Sequence, residues 1–257
     1  MAGITALIPA RGGSKGVHKK NITHVGGFPL IAHSIAVCEM SKNIDRIIVS
    51  TDDKEIAEIA RQYGAEVPFL RPERYALDTS TDFDVLNHFL FKSGYYEGGH
   101  NDNPIAYIRP TTPNRDPRKI DELIDVFIKS DLFEEATSAR SAHELAESPY
   151  KYYQIQDNYF EGLFDHFGGV KDYTNLPRQT FPSVYHPNGY IDIVKPRTLN
   201  ELGKTFGDKV FPLLTAPVLE IDTEEQLRTI EKNFSYSDPP HTLKYLLEKS
   251  KPFGEVI

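Results

Sequence analysis

An α/β protein built on a doubly wound, mostly parallel sheet is what this sequence predicts, and two observations carry the prediction. Short apolar runs alternate along the chain with amphipathic stretches of helical spacing, the pattern of a parallel sheet with crossover helices. The first run, Ile4–Ile8, gives way at once to a loop of glycines and cations, Ala10-Arg11-Gly12-Gly13-Ser14-Lys15-Gly16. A strand feeding such a loop is a recurrent way to hold a polyphosphate, because turn amides make an anion-binding nest and cations neutralise the rest. At 257 residues the chain can bury one substantial core, so a single domain over residues 1–257 is expected, with an insertion at about 145–186.

The elements follow in order. Ile4–Ile8 is the first strand. Pro29–Met40 reads as a helix, with Ile31, Ser34, Ile35 and Cys38 near helical spacing. Arg46–Ser50 is a second buried strand ending at Thr51-Asp52-Asp53, and Glu55–Tyr63 is a helix stopped by Gly64 as a C-cap. Glu66–Leu70 is expected as a third strand, Asp82–Phe91 as a helix and Pro104–Ile108 as a fourth strand. Pro117–Lys129 is a helix whose leading proline suits a position without a helical N–H partner. After Ala136–Ala139 the character changes. Residues 145–186 are rich in Tyr, Phe, Gly and Pro with weak helical periodicity, and are read as strand pairs and loops that bear on substrate binding and a dimer contact. Gly189–Val194 returns to a strand, Val218–Ile221 is a short last one, and Glu224–Asn233 is a helix. The tail from Ser235 to Ile257 carries one more, His241–Lys249.

Composition narrows the function. A net charge of −8 argues against a nucleic-acid partner that needs a broad basic surface, but not against a nucleotide met by the first loop. Cys38 is the only cysteine, so no intrachain disulfide forms and nothing points to an oxidising compartment. Arg11 and Lys15 arrive before any long apolar stretch, which argues against a signal peptide, and no run reaches membrane-spanning length. A cytoplasmic protein with no membrane partner is expected. The histidines show no H-x-x-x-H or H-E-x-x-H spacing, there is no G-x-S-x-G, and the first loop matches neither the Walker A nor the G-x-G-x-x-G pattern.

Five groups of residues are candidates for chemistry. In the first loop Gly12, Gly13 and Gly16 let the backbone turn closely, while Arg11, Lys15 and Lys20 offset charge on a triphosphate and its leaving group. On a strand, Glu220 and Asp222 would point to one side and supply two oxygens to an octahedral Mg²⁺; the same residues also read as a helix start capped by Asp222 or Thr223. In Arg71-Pro72-Glu73-Arg74-Tyr75-Ala76-Leu77-Asp78-Thr79-Ser80-Thr81-Asp82, the Asp82 carboxylate suits a cytosine amino group, suits guanine equally, and suits a first helical turn. Arg109, at the end of a central strand where ligands of open α/β sheets bind, prefers a carboxylate or phosphate in a forked geometry. Lys151 and Arg178, beside the aromatic insertion, suit a hydroxylated carboxylic acid or else a dimer surface.

These segments resemble the sugar-activating cytidylyltransferases that make CMP-sialic acid and its nonulosonic relatives. Their opening pattern, an apolar strand, then [IL]-[PL]-A-R-x-x-S-K-G and K-N, is met by Arg11, Ser14, Lys15, Gly16, Lys20 and Asn21, and the likeness runs over most of residues 4–232. The resemblance implies a Rossmann-like nucleotidyltransferase fold with a small dimerisation and acceptor insertion. It implies catalytic roles for Arg11, Lys15, Lys20 and Asp222, and nucleotide binding by Ala10, Arg11, Gly12, Gly13, Ser14, Lys15, Asn21, Arg71, Ser80 and Asp82. It further implies acceptor binding by Arg109, Thr111, Lys151, Arg178, Asn188 and Asp192, and Mg²⁺ held by Glu220 and Asp222. Four positions depart from the family pattern: Asp82 stands for serine, Arg109 for glutamine, Asp192 for tyrosine and Glu220 for aspartate. The expected activity is transfer of CMP from CTP to an acidic sugar in a homodimer. The alternatives are nucleotide transfer, with GTP for example, to a sugar 1-phosphate or other anion, and nucleotide binding without transfer.

Overall fold

A computed structural model of the chain describes residues 3–96, 103–234 and 238–250. Its strands are β1 (Ile4–Pro9), β2 (His24–Val25), β3 (Phe28–Pro29), β4 (Ile44–Ser50), β5 (Ile105–Tyr107), β6 (Ser138–Glu144), β7 (Tyr153–Gln156), β8 (Tyr159–Gly162), β9 (Tyr185–Val194) and β10 (Val210–Leu214). The helices are α1 (Leu30–Met40), α2 (Lys54–Gln62), α3 (Asp82–Lys92), α4 (Pro117–Ile128), α5 (Pro196–Leu202), α6 (Glu224–Asn233) and α7 (His241–Lys249). Six strands form one sheet in the order β10-β6-β9-β5-β1-β4. All its pairings are parallel except those of β9, which runs antiparallel between β5 and β6. The sheet is mostly parallel, as the alternation of runs predicts.

The core lies on both faces, because successive side chains of a strand point opposite ways. Ala6 and Ile8 pack with Ile35 of α1, Ile56 of α2 and Ile124 of α4, whereas Leu7 between them packs with Leu86 and Phe89 of α3 and Leu199 of α5. Every residue of α1 from Leu30 to Cys38 is buried, His33 and Ser34 included, since α7 covers the side that the sheet does not. A helix buried all round loses the one-sided stripe that marks a surface helix. Local chemistry sets the helix starts: Asp53 caps α2, Asp116 caps α4, and Thr81 and Thr223 form capping boxes with Asp84 and Gln226. Gly64, at φ +100°, follows α2 where the chain leaves the helix.

Two expected strands are not formed. Within Glu66–Leu70 only Glu66 pairs, bridging Ile48, because Pro68 has no N–H to extend the ladder. Val218–Ile221 is irregular; its one rung is Ile221 N–H donating to Thr111 O at 2.8 Å. Conversely β6, α5 and β10 are additions to the sequence reading, and β9 begins four residues before Gly189. Of the tail read from Ser235, residues 235–237 and 251–257 lie outside the described residues.

The 145–186 segment is a strand pair with 3₁₀ turns, as expected. β7 and β8 form a hairpin turned at Asp157 and Asn158, both at positive φ as a tight hairpin turn requires. Beneath it Tyr150, Phe164, Phe167 and Phe181 make a small aromatic core, with Tyr150 stacked on Phe181 at 5.4 Å.

Candidate active site

The chain runs from β1 to the outer strand β4 on one side and then crosses to β5 on the other, so the sheet's winding reverses between β1 and β5. A crevice opens beyond the carboxyl ends of strands at such a switch point. Here it is a cavity of about 350 Å³ whose walls come from the loop after β1, the loop after β5, the Arg71–Asp82 segment and Asp222.

Three cations that the sequence reading assigns to phosphate stand around it, each paired with a carboxylate from a distant segment. Asp78 bridges Arg11 Nη1 and Lys15 Nζ, both at 2.7 Å, and Lys20 Nζ meets Asp222 Oδ1 at 2.8 Å. The bonds from Lys15 and Arg11 hold the Asp78 carboxyl below its ordinary range. These exposed pairs contribute little stability, and a polyanion in the cavity competes directly with Asp78. Asn21 shapes the loop, its side-chain amide donating to Arg11 O at 2.9 Å. Ser14 lines the cavity, whereas Ala10, Gly12 and Gly13 do not. Ala10 is buried and its N–H donates to Ser50 O, and the Gly12 N–H donates to Asp52 Oδ1 at 3.0 Å. Gly16 is required by contact: a Cβ there would sit 1.9 Å from the carbonyl oxygen of Asp222.

At the other end Arg71 lines the cavity although it is 4% exposed; its Nη2 is 3.9 Å from Asp52, and its Nε has no partner among the described residues. Burial lowers its proton affinity, so an acceptor oxygen arriving there is favoured. The Ser80 hydroxyl also lines the wall but ties its own loop, accepting from Leu77 N–H and donating to Arg74 O.

Three of the four departures from the family pattern, Asp82, Arg109 and Asp192, form one network. Arg109 Nη2 binds Asp82 Oδ2 at 2.6 Å, and its Nη1 binds Asp192 Oδ2 at 2.5 Å. Arg140 Nε approaches the other Asp192 oxygen at 3.3 Å, and the Tyr107 hydroxyl donates to Asp82 Oδ1 at 2.9 Å. Burial works against the charge of Arg109, but Asp192 and Asp82 outweigh it and raise its proton affinity. The anion that Arg109 demands is therefore internal. Asp192, with a side chain 1% exposed, lies beneath Arg109 rather than on a cavity wall, which corrects its reading as an acceptor contact. Asp82 still lines the cavity, yet both of its oxygens already accept bonds.

Thr111 lines the same cavity. The remaining residues expected at the acceptor separate. Asn188 lines a second cavity of about 430 Å³, together with Glu220 and Asp222, and Asp222 is common to both cavities. Arg178 lines a third of about 280 Å³ in the insertion, and Lys151, in the turn Pro149–Lys151, lines none of the three. The single chain does not bring Lys151 and Arg178 to Arg109.

Glu220 and Asp222 come together without the strand alternation invoked for them, held by the Ile221 rung. Burial, and then the neighbouring Asp222 charge, raise the Glu220 carboxyl above its ordinary range. Two crowded carboxylates of this kind fit a hard divalent cation, which relieves their repulsion. Among the described residues no cluster of three or more ligating side chains gathers, so a cation would complete its shell from substrate and water.

Three further residues carry no assigned role in the sequence reading. Arg115, 1% exposed, donates to the carbonyls of Arg109, Thr112, Gly189 and Tyr190 and to the Ser34 hydroxyl, joining the floors of both cavities. His143 and His186 line the second cavity, and no motif spacing signals them. No helix among the described residues is long and apolar enough to cross a membrane.

Comparison with known proteins adds to this geometry. The model of the family described as Cytidylyltransferase matches residues 5–160. A CMP-N,N'-diacetyllegionaminic acid synthase of Legionella pneumophila is 41% identical over 123 residues, 48% of this chain and 52% of that protein. An N-acylneuraminate cytidylyltransferase of Escherichia coli O18:K1:H7 is 32% identical over 191 residues, 74% of this chain and 42% of its own length. The post-translational flagellin modification protein B of Campylobacter coli is 31% identical over 239 residues, 90% and 94% of the two chains. The match thus spans about half the length of the first two relatives and nearly all of the third. Among solved structures, a CMP:2-keto-3-deoxy-manno-octonic acid synthetase complexed with CTP aligns with a TM-score of 0.63 at 15% identity, covering 92% of this chain and 100% of that one, which shows a shared fold.

Proposed function

This chain belongs to the cytidylyltransferase family, and from that premise we propose that it transfers CMP from CTP to an acidic sugar of the sialic or nonulosonic class, releasing pyrophosphate. One observation carries the proposal: the cation-lined cavity and the second cavity meet at Asp222. A nucleotide in the first and an acceptor in the second would thus have their reacting atoms side by side, which is most of what such a transfer needs from a protein. The printed names of the relatives, synthases of CMP-legionaminic and acylneuraminate products, point the same way.

In this mechanism the triphosphate displaces Asp78 from Arg11 and Lys15, and Arg71 meets the nucleoside end. An acceptor hydroxyl attacks the α-phosphorus in line; the new O–P bond forms as the bond to pyrophosphate breaks, and the hydroxyl proton leaves to solvent. Lys20 offsets charge as it builds on the phosphates. Asp222 and Glu220 would hold Mg²⁺, whose chemistry is to polarise the phosphoryl oxygens. Asp82 already accepts bonds from Tyr107 and Arg109, so it does not decide between cytosine and guanine; the choice of CTP rests on the family. The protein works as a homodimer through the insertion, where Ile155, Tyr159 and Phe160 are 74%, 78% and 76% exposed. Its nucleotide substrate calls for a cytoplasmic setting.

The test is pyrophosphate release measured with each nucleoside triphosphate and Mg²⁺, with and without a panel of nonulosonic and 3-deoxy-2-keto sugar acids and sugar 1-phosphates. Release with CTP and a sugar acid is expected. Release with GTP and a sugar 1-phosphate would overturn the proposal, and CTP binding without release under any pairing would leave a nucleotide-binding protein.

A further inference from the structure

The second cavity carries two imidazoles that the nucleotide chemistry does not use. His143 of β6 and His186 of β9 face each other in the antiparallel ladder, with ring centroids 5.6 Å apart. Directly opposed residues project from the same face of a sheet, and both rings line the cavity beside Asn188 and Glu220. The Asn188 amide donates to Thr215 Oγ1 at 2.6 Å and approaches His143 Nδ1 at 3.4 Å. A ring that accepts at Nδ1 carries its proton on Nε2, so His143 is set as a donor. His186 has no hydrogen bond among the described residues, and its ring faces that of His143.

The rest of the wall offers an anion no cationic side chain. Its charged groups are the carboxylates of Glu220, Asp222 and Glu225, and His143 and His186 are its only side chains able to carry positive charge. The cations expected to do this lie elsewhere: Arg109 is held by Asp82 and Asp192, Arg178 lines another cavity, and Lys151 lines none of the three. An anionic acceptor in this cavity must therefore turn its charge away from the carboxylates.

We propose that His143 and His186 together determine acceptor specificity, donating hydrogen bonds to the carboxylate of a hydroxylated acid seated between them and Asn188. The inference rests on the cytidylyl-transfer reading, and the experiment separates the two. On the full chain, with CTP and whichever sugar acid it accepts, His143→Ala and His186→Ala should each raise acceptor KM about tenfold or more, the usual loss for a hydrogen bond to a charged group. CTP KM should stay within about twofold, a split that a merely structural role would not produce. His186→Arg, which restores a donor, should recover acceptor KM where His186→Leu does not. In the unmodified protein the acceptor, and not CTP, should slow acylation of the imidazoles by diethylpyrocarbonate. Unchanged acceptor KM in both alanine variants, or a parallel rise in CTP KM, would overturn the role of the histidines. If the alanine variants fail to fold, absence of acceptor protection in the acylation assay overturns it instead. Failure of the unmodified chain to transfer CMP to any sugar acid would sink the underlying reading.

Discussion

Replacing Arg109 by glutamine, the residue that the family pattern has there, should damage this protein rather than normalise it. Asp192 is 1% exposed and meets Arg109 at 2.5 Å, so the substitution leaves a buried carboxylate with only Arg140, at 3.3 Å, to balance it. Removing one partner of a buried ion pair costs about 3–5 kcal/mol, and the surviving Arg140 contact argues for the lower end. For a chain of 257 residues, about 3 kcal/mol corresponds to a fall in Tm of about 6 °C, from an unfolding entropy of about 2.1 cal/mol/K per residue. The assay is thermal unfolding followed by circular dichroism for Arg109→Gln, Asp192→Asn and the double variant. The double variant should be more stable than Arg109→Gln alone, since it removes the stranded charge as well. A single variant with unchanged Tm, or a double variant in which the two losses simply add, would refute the claim that these residues form one network.

Four other outcomes are expected. Lys20→Ala should lower kcat/KM by about 10²–10³, as removal of one transition-state donor does, with little change in Tm because its pair with Asp222 is exposed; activity assays beside melting curves check both. Gly16→Ala should lower activity about 10²-fold, since displacing Asp222 by about 1 Å has effects of that order, whereas Gly13→Ala, with nothing within 4 Å of its added carbon, should be silent in the same assay. His33 is pushed down to about 4 by burial, from 6.5, so stability present above pH 6.5 should be lost as pH falls towards 4, by as much as about 3 kcal/mol; His33→Gln should flatten that stretch of the curve of Tm against pH. Charged substitutions of Ile155 and Phe160 together should convert a dimer to a monomer in light scattering at micromolar concentration, and a monomeric parent chain would refute the assembly proposed for the insertion.

The sheet was legible wherever a strand needed large apolar side chains. Ile4–Ile8, Arg46–Ser50 and Pro104–Ile108 are read within a few residues of β1, β4 and β5, and helix α6 is read to the residue. β6 escaped because Ser138, Ala139 and Ser141 are buried by being small, not by being greasy. β10 escaped because Pro212 marks a sheet edge, where a missing N–H does no harm. Glu66–Leu70 failed in the opposite direction: its composition is that of a strand, but Pro68 ends the pairing. In the site, the phosphate loop was readable because its residues are contiguous. The aspartates Asp78, Asp82 and Asp192 lie far in sequence from the arginines they meet, and these charges cancel only in three dimensions. The preference of Arg109 for an anion was legible, but it was read as pointing to the acceptor, whereas Asp82 and Asp192 of the same chain meet it.

Arg115 has a consequence for how this scaffold can change. Burial lowers its proton affinity to about 10, and among the described residues no carboxylate pairs with it; its charge is dispersed over four backbone carbonyls and one hydroxyl. Those acceptors belong to the main chain, so they stay in place whatever side chains replace their neighbours. The platform under both cavities is thus insulated from mutation in a way the walls are not. Lysine, a single point charge without the planar fork, could not bridge the same set. Attempts to retarget the enzyme to another acid should therefore spare the platform and vary the rim, at His143, His186, Leu219 and Thr229, where a substitution alters what the cavity admits without moving the place where the phosphorus must lie.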